Sequence, residues 1–252
     1  LKRKRDGIFY TPEIITEYIC RNTIIPLLSK KDTNEVHTLV KEYSNDIEVL
    51  EKKLEELKIV DPACGSGAFL IKAVDILLEI HKEVQMFKEG IGTYSAAKRG
   101  KNKSQLTLVK WQEESKAREI ILNNIYGVDL NEESIEITKL SLFLKIAQRG
   151  KKLVNLSNNI KTGNSLVEDK DVDRLAFDWN KNFPFKFDVV LGNPPYVRSR
   201  AFNKQELNYL KNNFNSVESG FDLCTLFIER GLSLLNSTKG KLGFISSNKF
   251  FS

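Results

Sequence analysis

The chain has 252 residues, 41% of them hydrophobic and 29% charged, which is enough to bury a sizeable core without disulfide or metal staples. Its 39 Lys and Arg against 33 Asp and Glu give a net charge of +6 and a pI near 9.0, a balance that suits a polyanionic partner but is shared by many proteins without one. No apolar run is long enough to cross a bilayer, and the opening LKRKRDG leads into no signal-like stretch, so a soluble cytoplasmic protein with no membrane partner is expected.

Cys20, Cys64 and Cys224 are far apart, and with His37 and His81 they form no metal-ligand spacing, so neither disulfides nor a metal site is expected. The chain opens on Leu1 rather than Met and stops at Ser252 just after a strand-like stretch, which reads as a fragment of a longer polypeptide.

TPEIITEYICRNTIIPLL has helical spacing, with Thr11 as N-cap and Pro12 at the first helical position. A second helix is predicted from Val36 to Leu57, its Glu/Lys-rich end forming a solvated face. Leu57 to Val60 reads as a short strand, broken by Asp61-Pro62 and a glycine turn before helical periodicity resumes from Ala68 to Ile80. Strand, tight turn and helix in succession open a doubly wound sheet. From about His81 to Arg118 the pattern is polar, basic and irregular, and reads as an insertion. Lys98, Arg99, Lys101 and Lys103 within it suit either a polyanionic partner or a solvated loop.

Ile120 to Asp129 reads as the second strand, and Glu132 to Ala147 as an amphipathic helix with Leu140, Phe143, Leu144 and Ala147 on or near one face. Ile160 to Leu166 is a third strand or its exit, Phe187 to Leu191 a buried strand, Asp222 to Leu235 a helix and Lys241 to Ser247 a last strand. The expected fold is α/β, doubly wound and Rossmann-like.

Three segments carry chemistry. In Asp61-Pro62-Ala63-Cys64-Gly65-Ser66-Gly67 the glycines let backbone approach a ligand at the end of the first strand, although a tight strand-to-helix turn needs glycine too. Neither the Lys of a phosphate-binding loop nor GxGxxG is present. Asp129 closes the second strand, placed to accept from ribose hydroxyls or to serve as a helix N-terminal charge. Asn193-Pro194-Pro195-Tyr196 follows the buried strand, and read blandly it is an ordinary loop. Its two prolines hold the Asn193 side chain and the Pro194 carbonyl rigidly side by side. Two fixed acceptors suit an aromatic amino group, whose lone pair is delocalised until both hydrogens are held. Tyr196 adds a ring on which an unstacked base can rest.

In order, GIFYTP, DPACGSGAFL, GVDLN, GNSL, GNPPY, DLCTLFIERGL and GKLGFISSNKFF resemble the gamma class of DNA adenine methyltransferases, nearest to the methylase part of single-chain restriction-modification enzymes. The resemblance covers nearly the whole chain. It implies an S-adenosylmethionine-dependent methyltransferase fold that stops before the family's last strands, with N-terminal helices at 1–56, a catalytic core at 57–252 and a basic insertion at about 81–118. It makes Tyr10, Thr11, Asp61, Ala63, Gly65 and Gly67 donor-site residues, gives Asp129 the ribose, and sets Asn164 and Phe227 near the donor's adenine. Asn164 stands where the family usually has an acid. Asn193, Pro194 and Tyr196 become the catalytic group, and Arg198 and Arg200 phosphate contacts on double-stranded DNA. Nuclease and target-recognition domains would lie elsewhere in a longer chain. Two other readings remain open at this point: a protein-glutamine or ribosomal-RNA amino methyltransferase, which shares the Asn-Pro-Pro-aromatic motif, and an inactive DNA-binding or assembly module.

Overall fold

Among the described residues five short strands, β1 (Ile59–Asp61), β2 (Ile125–Asp129), β3 (Ile160–Thr162), β4 (Val189–Gly192) and β5 (Lys241–Phe244), form one sheet in the order β3-β2-β1-β4-β5. Every pairing is parallel. The computed structural model describes residues 11–90, 103–146, 154–196, 204–217, 222–236 and 239–246, with the backbone alone at 103–112.

Successive side chains of a strand point to opposite faces, and a parallel sheet buries both. Ile59, Ile125, Ile160, Val189 and Leu191 enter one apolar core, while Val60, Tyr126, Val128 and Val190 enter another on the opposite face. The first face carries α1 (Glu13–Leu28), α2 (Val36–Glu42), α3 (Ile47–Glu56), α4 (Ala68–Lys88), α5 (Lys103–Asn124) and α6 (Glu132–Ile146). The second is covered by an aromatic segment around the single turn α7 (Trp179–Asn182), where Phe183 and Phe187 pack edge-on against Tyr126 and Trp179 packs edge-on against Phe177 and Phe187, together with α9 (Leu223–Leu234). Between them in sequence lies α8 (Lys204–Asn213).

The chain runs outward from β1 to β2 and β3, then returns to lay β4 on the other side of β1. The connections leave β1 and β4 in opposite directions, so a crevice opens at their carboxyl ends. Both chemistry-bearing turns, after Asp61 and after Gly192, begin there.

Four expectations need correction. The helix expected over Val36–Leu57 is two, α2 and α3, because Tyr43 to Asp46 turn and Asp46 N–H caps back on Tyr43 O. Ile120 and Ile121 belong to α5, and β2 starts only at Ile125. Asn124 marks the joint: it is buried, and its Nδ2 donates to Leu54 O and Leu57 O at 2.8 and 2.7 Å, tying the helix end to the start of β1. The irregular insertion is helical at both ends, since α4 runs on to Lys88 and α5 begins at Lys103. Residues 91–102, with Lys98, Arg99 and Lys101, lie outside the described residues.

The inward face of α6 is also different. Ile135, Thr138, Leu142 and Ile146 are buried, whereas Leu140 and Leu144 stand 57% and 66% exposed. Apolar residues occupy every side of this helix, so periodicity alone cannot choose among its faces. Ala147 lies outside the described residues. Among the described residues, no helix is long and apolar enough to cross a membrane.

Candidate active site

The turn after β1 is held from four sides. Asp61, 1% exposed, accepts from Ala63 N–H at 2.9 Å. Cys64 N–H donates to Val128 O at 3.0 Å, and Gly65 N–H to Asp129 Oδ2 at 2.8 Å. Thr138 Oγ1 donates to Gly65 O at 2.7 Å, and Ser165 Oγ to Pro62 O at 2.5 Å. Gly65 and Gly67 have φ of +52° and +84°, in the left-handed region that favours glycine. A Cβ on Gly67 would strike Thr138, whereas one on Gly65 would meet open space. The peptide at Gly65 therefore fronts the crevice with no side chain in the way.

Asp129 is held as firmly. Besides the Gly65 contact, its Oδ1 accepts from Asn131 N–H at 2.8 Å. Burial raises the Asp129 carboxyl above its ordinary range, against the pull of those two N–H groups. Asp61 is pushed up further, to about 8, chiefly by burial and to a lesser degree by the nearby Asp129, with the Ala63 N–H opposing. The crevice floor thus holds two buried carboxyls whose charged forms are disfavoured until a cationic ligand pairs with them. Burial likewise raises the Cys64 thiol well above its usual value, which makes it inert as a nucleophile.

Across the crevice, Gly192 has φ +156°, and a Cβ there would lie 2.7 Å from Asp61 Oδ1. This glycine lets the loop after β4 approach the buried acid. Asn193 follows, and its Nδ2 donates to Thr11 Oγ1 at 3.1 Å. Asn193 Oδ1 is buried and accepts no hydrogen bond. An orphan acceptor of this kind costs free energy in the fold unless a ligand completes it. Pro194 is buried beside it and Tyr196 half-buried. Burial, with Cys224 and Asp222 nearby at the start of α9, pushes the Tyr196 hydroxyl up to about 12, so the ring stays neutral.

Thr11 is 8% exposed and caps nothing; Pro12 takes the N-cap of α1 without a side-chain bond. Phe227 of α9 is buried in a cluster with Leu166, Leu226 and Phe214, against which Ala63 packs. Asn164 turns out to build its own loop: its Oδ1 accepts from Leu166 N–H, and its Nδ2 donates to Asp173 at 2.6 Å. Tyr10, Arg198 and Arg200 lie outside the described residues.

Sequence reading missed Thr138 and Ser165, the two hydroxyls that clamp the glycine turn, and Gly127, where a Cβ would run into Leu70 and Cys64. Ser165 stands inside the GNSL motif, whereas no local signal singles out Thr138. Among the described residues, no group of three or more His, Cys, Asp or Glu could hold a metal.

A parallel sheet in this order, with a glycine turn, an acid at the next strand end and a ligand crevice between β1 and β4, defines a Rossmann-like α/β domain of the methyltransferase kind. The family model described as Eco57I restriction-modification methylase matches residues 123–252. The chain belongs to the Eco57I restriction-modification methylase family.

The chain is 32% identical over 211 residues to a putative type II restriction enzyme and methyltransferase of Methanocaldococcus jannaschii, RM.MjaORFECS2P, covering 69% of this chain and 16% of that one. It is 30% identical over 262 residues to the type II restriction enzyme and methyltransferase RM.Eco57I of Escherichia coli, covering 95% of this chain and 23% of that one. The fold is that of the type IIL restriction-modification enzyme MmeI, solved in complex with DNA: TM-score 0.60 at 19% identity, over 99% of this chain and 31% of that one. The chain therefore spans about a quarter or less of the length of these two curated relatives.

Proposed function

We propose that this chain carries the catalytic core of a DNA methyltransferase that moves a methyl group from S-adenosylmethionine to the exocyclic amino group of adenine in duplex DNA. The observation that carries this reading is the buried, unpartnered Asn193 Oδ1, held beside Thr11 and across from the glycine turn. A relative described as an adenine-specific methyltransferase, from Streptomyces coelicolor, aligns with 98% of this chain at 24% identity and favours adenine as the target base.

The residues fit the donor. Gly65 leaves the crevice open to its methionine end, Asp61 and Asp129 are acids that can ionise against its positive charge, and the Phe227 cluster offers an apolar wall for its adenine. The donor supplies an electrophilic methyl group whose leaving group is a neutral thioether. What remains for the protein is to prepare the nucleophile. Asn193 Oδ1 and the Pro194 carbonyl accept the two amino hydrogens of an adenine taken out of the stack, which draws its nitrogen toward tetrahedral geometry and localises the lone pair. Tyr196 supports the base by its face. Arg198, Arg200 and Tyr10 keep the phosphate and donor roles that the family resemblance implies. Residues 1–56 act as the carrier of the Thr-Pro element, and nuclease and recognition functions reside in other domains of a longer chain.

The test is transfer of a labelled methyl group to duplex DNA by the full-length protein, with base analysis of the product and Asn193→Ala as control. Label in 6-methyladenine that vanishes in the variant is expected. Label confined to protein or RNA points to the glutamine or ribosomal activity, and no label anywhere to an inactive module.

A further inference from the structure

An asparagine amide has two ends of nearly equal shape and opposite character: the oxygen accepts, the nitrogen donates. A half-turn of the amide exchanges them. A pocket built on Asn193 alone would therefore receive an amino group or a carbonyl equally well. The backbone leaves no other freedom, because Gly192 sits against Asp61 on one side and two prolines follow on the other.

We propose that Thr11 sets the polarity of Asn193, and thereby makes the pocket select a base bearing an exocyclic amino group over one bearing a carbonyl; this rests on the methyltransferase reading above. Thr11 Oγ1 accepts from Asn193 Nδ2 at 3.1 Å, which commits the amide nitrogen and leaves Oδ1 as a buried, unused acceptor. The two residues are 182 positions apart and meet only because α1 begins at the carboxyl end of β4. A hydroxyl both donates and accepts. When an acceptor on the donor's amino-acid end takes the Thr11 hydrogen, only lone pairs face Asn193, and the amide cannot turn over. Thr11 is then a positioning residue whose effect reaches the base through Asn193, and selectivity is greatest with the donor in place.

The experiment uses the full-length protein and duplexes carrying its methylation site, mapped by sequencing of methylated DNA. The target position holds either adenine opposite thymine or, replacing the amino group by a carbonyl in a paired base, hypoxanthine opposite cytosine, and the ratio read is that of the two duplex dissociation constants. The unmodified protein is expected to prefer adenine by about tenfold or more, as buried polar sites do when a partner is mismatched. Thr11→Ala and Thr11→Val should cut this ratio by about threefold or more, the fixed Pro194 carbonyl keeping the remainder, and lower kcat at saturating donor by about tenfold, one hydrogen bond's worth of orientation. Thr11→Ser should restore both. In the unmodified protein the ratio should rise when the demethylated donor is bound.

An adenine preference and kcat unchanged in the Ala and Val variants, with only the donor KM raised, would make Thr11 a donor contact and overturn the inference. So would equal ratios with and without the demethylated donor, a measurement that needs no variant. If the unmodified protein forms no 6-methyladenine, the functional reading falls and this inference with it. If it methylates adenine while the ratio is indifferent to Thr11, the inference alone falls.

Discussion

Gly65 N–H donates to Asp129 Oδ2 at 2.8 Å, so the turn after β1 is shaped by the acid that ends β2. The same carboxylate also receives Asn131 N–H. Asp129→Ala leaves two backbone donors without their acceptor and is expected to cost about 1–3 kcal/mol of stability. Asp129→Asn keeps one acceptor and should lose about half as much. Denaturant melts of both variants check the order. Calorimetric titration with S-adenosylmethionine should show weaker binding in each, because the glycine turn is no longer held.

Asp61 gives the fold a pH dependence of unusual sign for a carboxylate. Burial lifts its pKa from 3.8 to about 8, so between these values the folded chain holds a proton that the unfolded chain has released. Stability from this group is full below about pH 4 and is lost as pH rises toward 8. Asp61→Asn, which keeps an acceptor for Ala63 N–H, should flatten that part of the profile. Urea midpoints for the two proteins at pH 5 and pH 8, without donor, decide it: an equal change in both would mean that Asp61 is already ionised. Bound donor, being cationic, should reduce the wild-type loss at pH 8.

The same substitution acts in different places at Gly65 and Gly192. Gly192→Ala places a Cβ 2.7 Å from Asp61 Oδ1 in a left-handed conformation, and about 1–3 kcal/mol of destabilisation is expected, with activity lost. Gly65→Ala meets no atom, so its folding cost is the conformational one alone, about 1–2 kcal/mol. Its methyl group projects into the crevice and should weaken donor binding. Thermal unfolding set beside donor titration separates the two.

Tyr196 contributes a ring rather than a proton. Its hydroxyl stays neutral up to about 12, so Tyr196→Phe should keep kcat/KM on duplex DNA within about threefold and add no pH dependence. Tyr196→Ala should lose roughly 1–3 kcal/mol of base support. An unchanged kcat/KM in the Ala variant would remove Tyr196 from the base pocket.

The glycine turn, Asp129 and the loop after β4 were legible because each is a short motif at a strand end, where a parallel sheet gathers its ligands. The strands were found because runs such as FDVVLG are apolar on both sides. What sequence could not resolve were matters of partner. Ile120 and Ile121 suit a strand by composition, yet Asn124, reaching back to Leu54 and Leu57, ends a helix there. Leu140 and Leu144 are apolar and exposed because α6 has more apolar positions than core to place them in. Thr11 read as a helix cap, and its bond to Asn193 spans nearly the whole chain, beyond any local pattern.

The central place of β1 has a consequence for how the chain is made. Lys58 N–H donates to the Asp188 carboxylate, 130 positions later, and Ile59 then pairs with Val189. During synthesis one flank of β1 therefore stays open until β4 emerges, and the two halves of the crevice meet only at that late step. Long-range parallel pairing is slow, because the loop entropy is spent before the contacts form. Assembly of the crevice thus coincides with completion of the sheet, and refolding should recover ligand binding and the last phase of sheet formation at one rate.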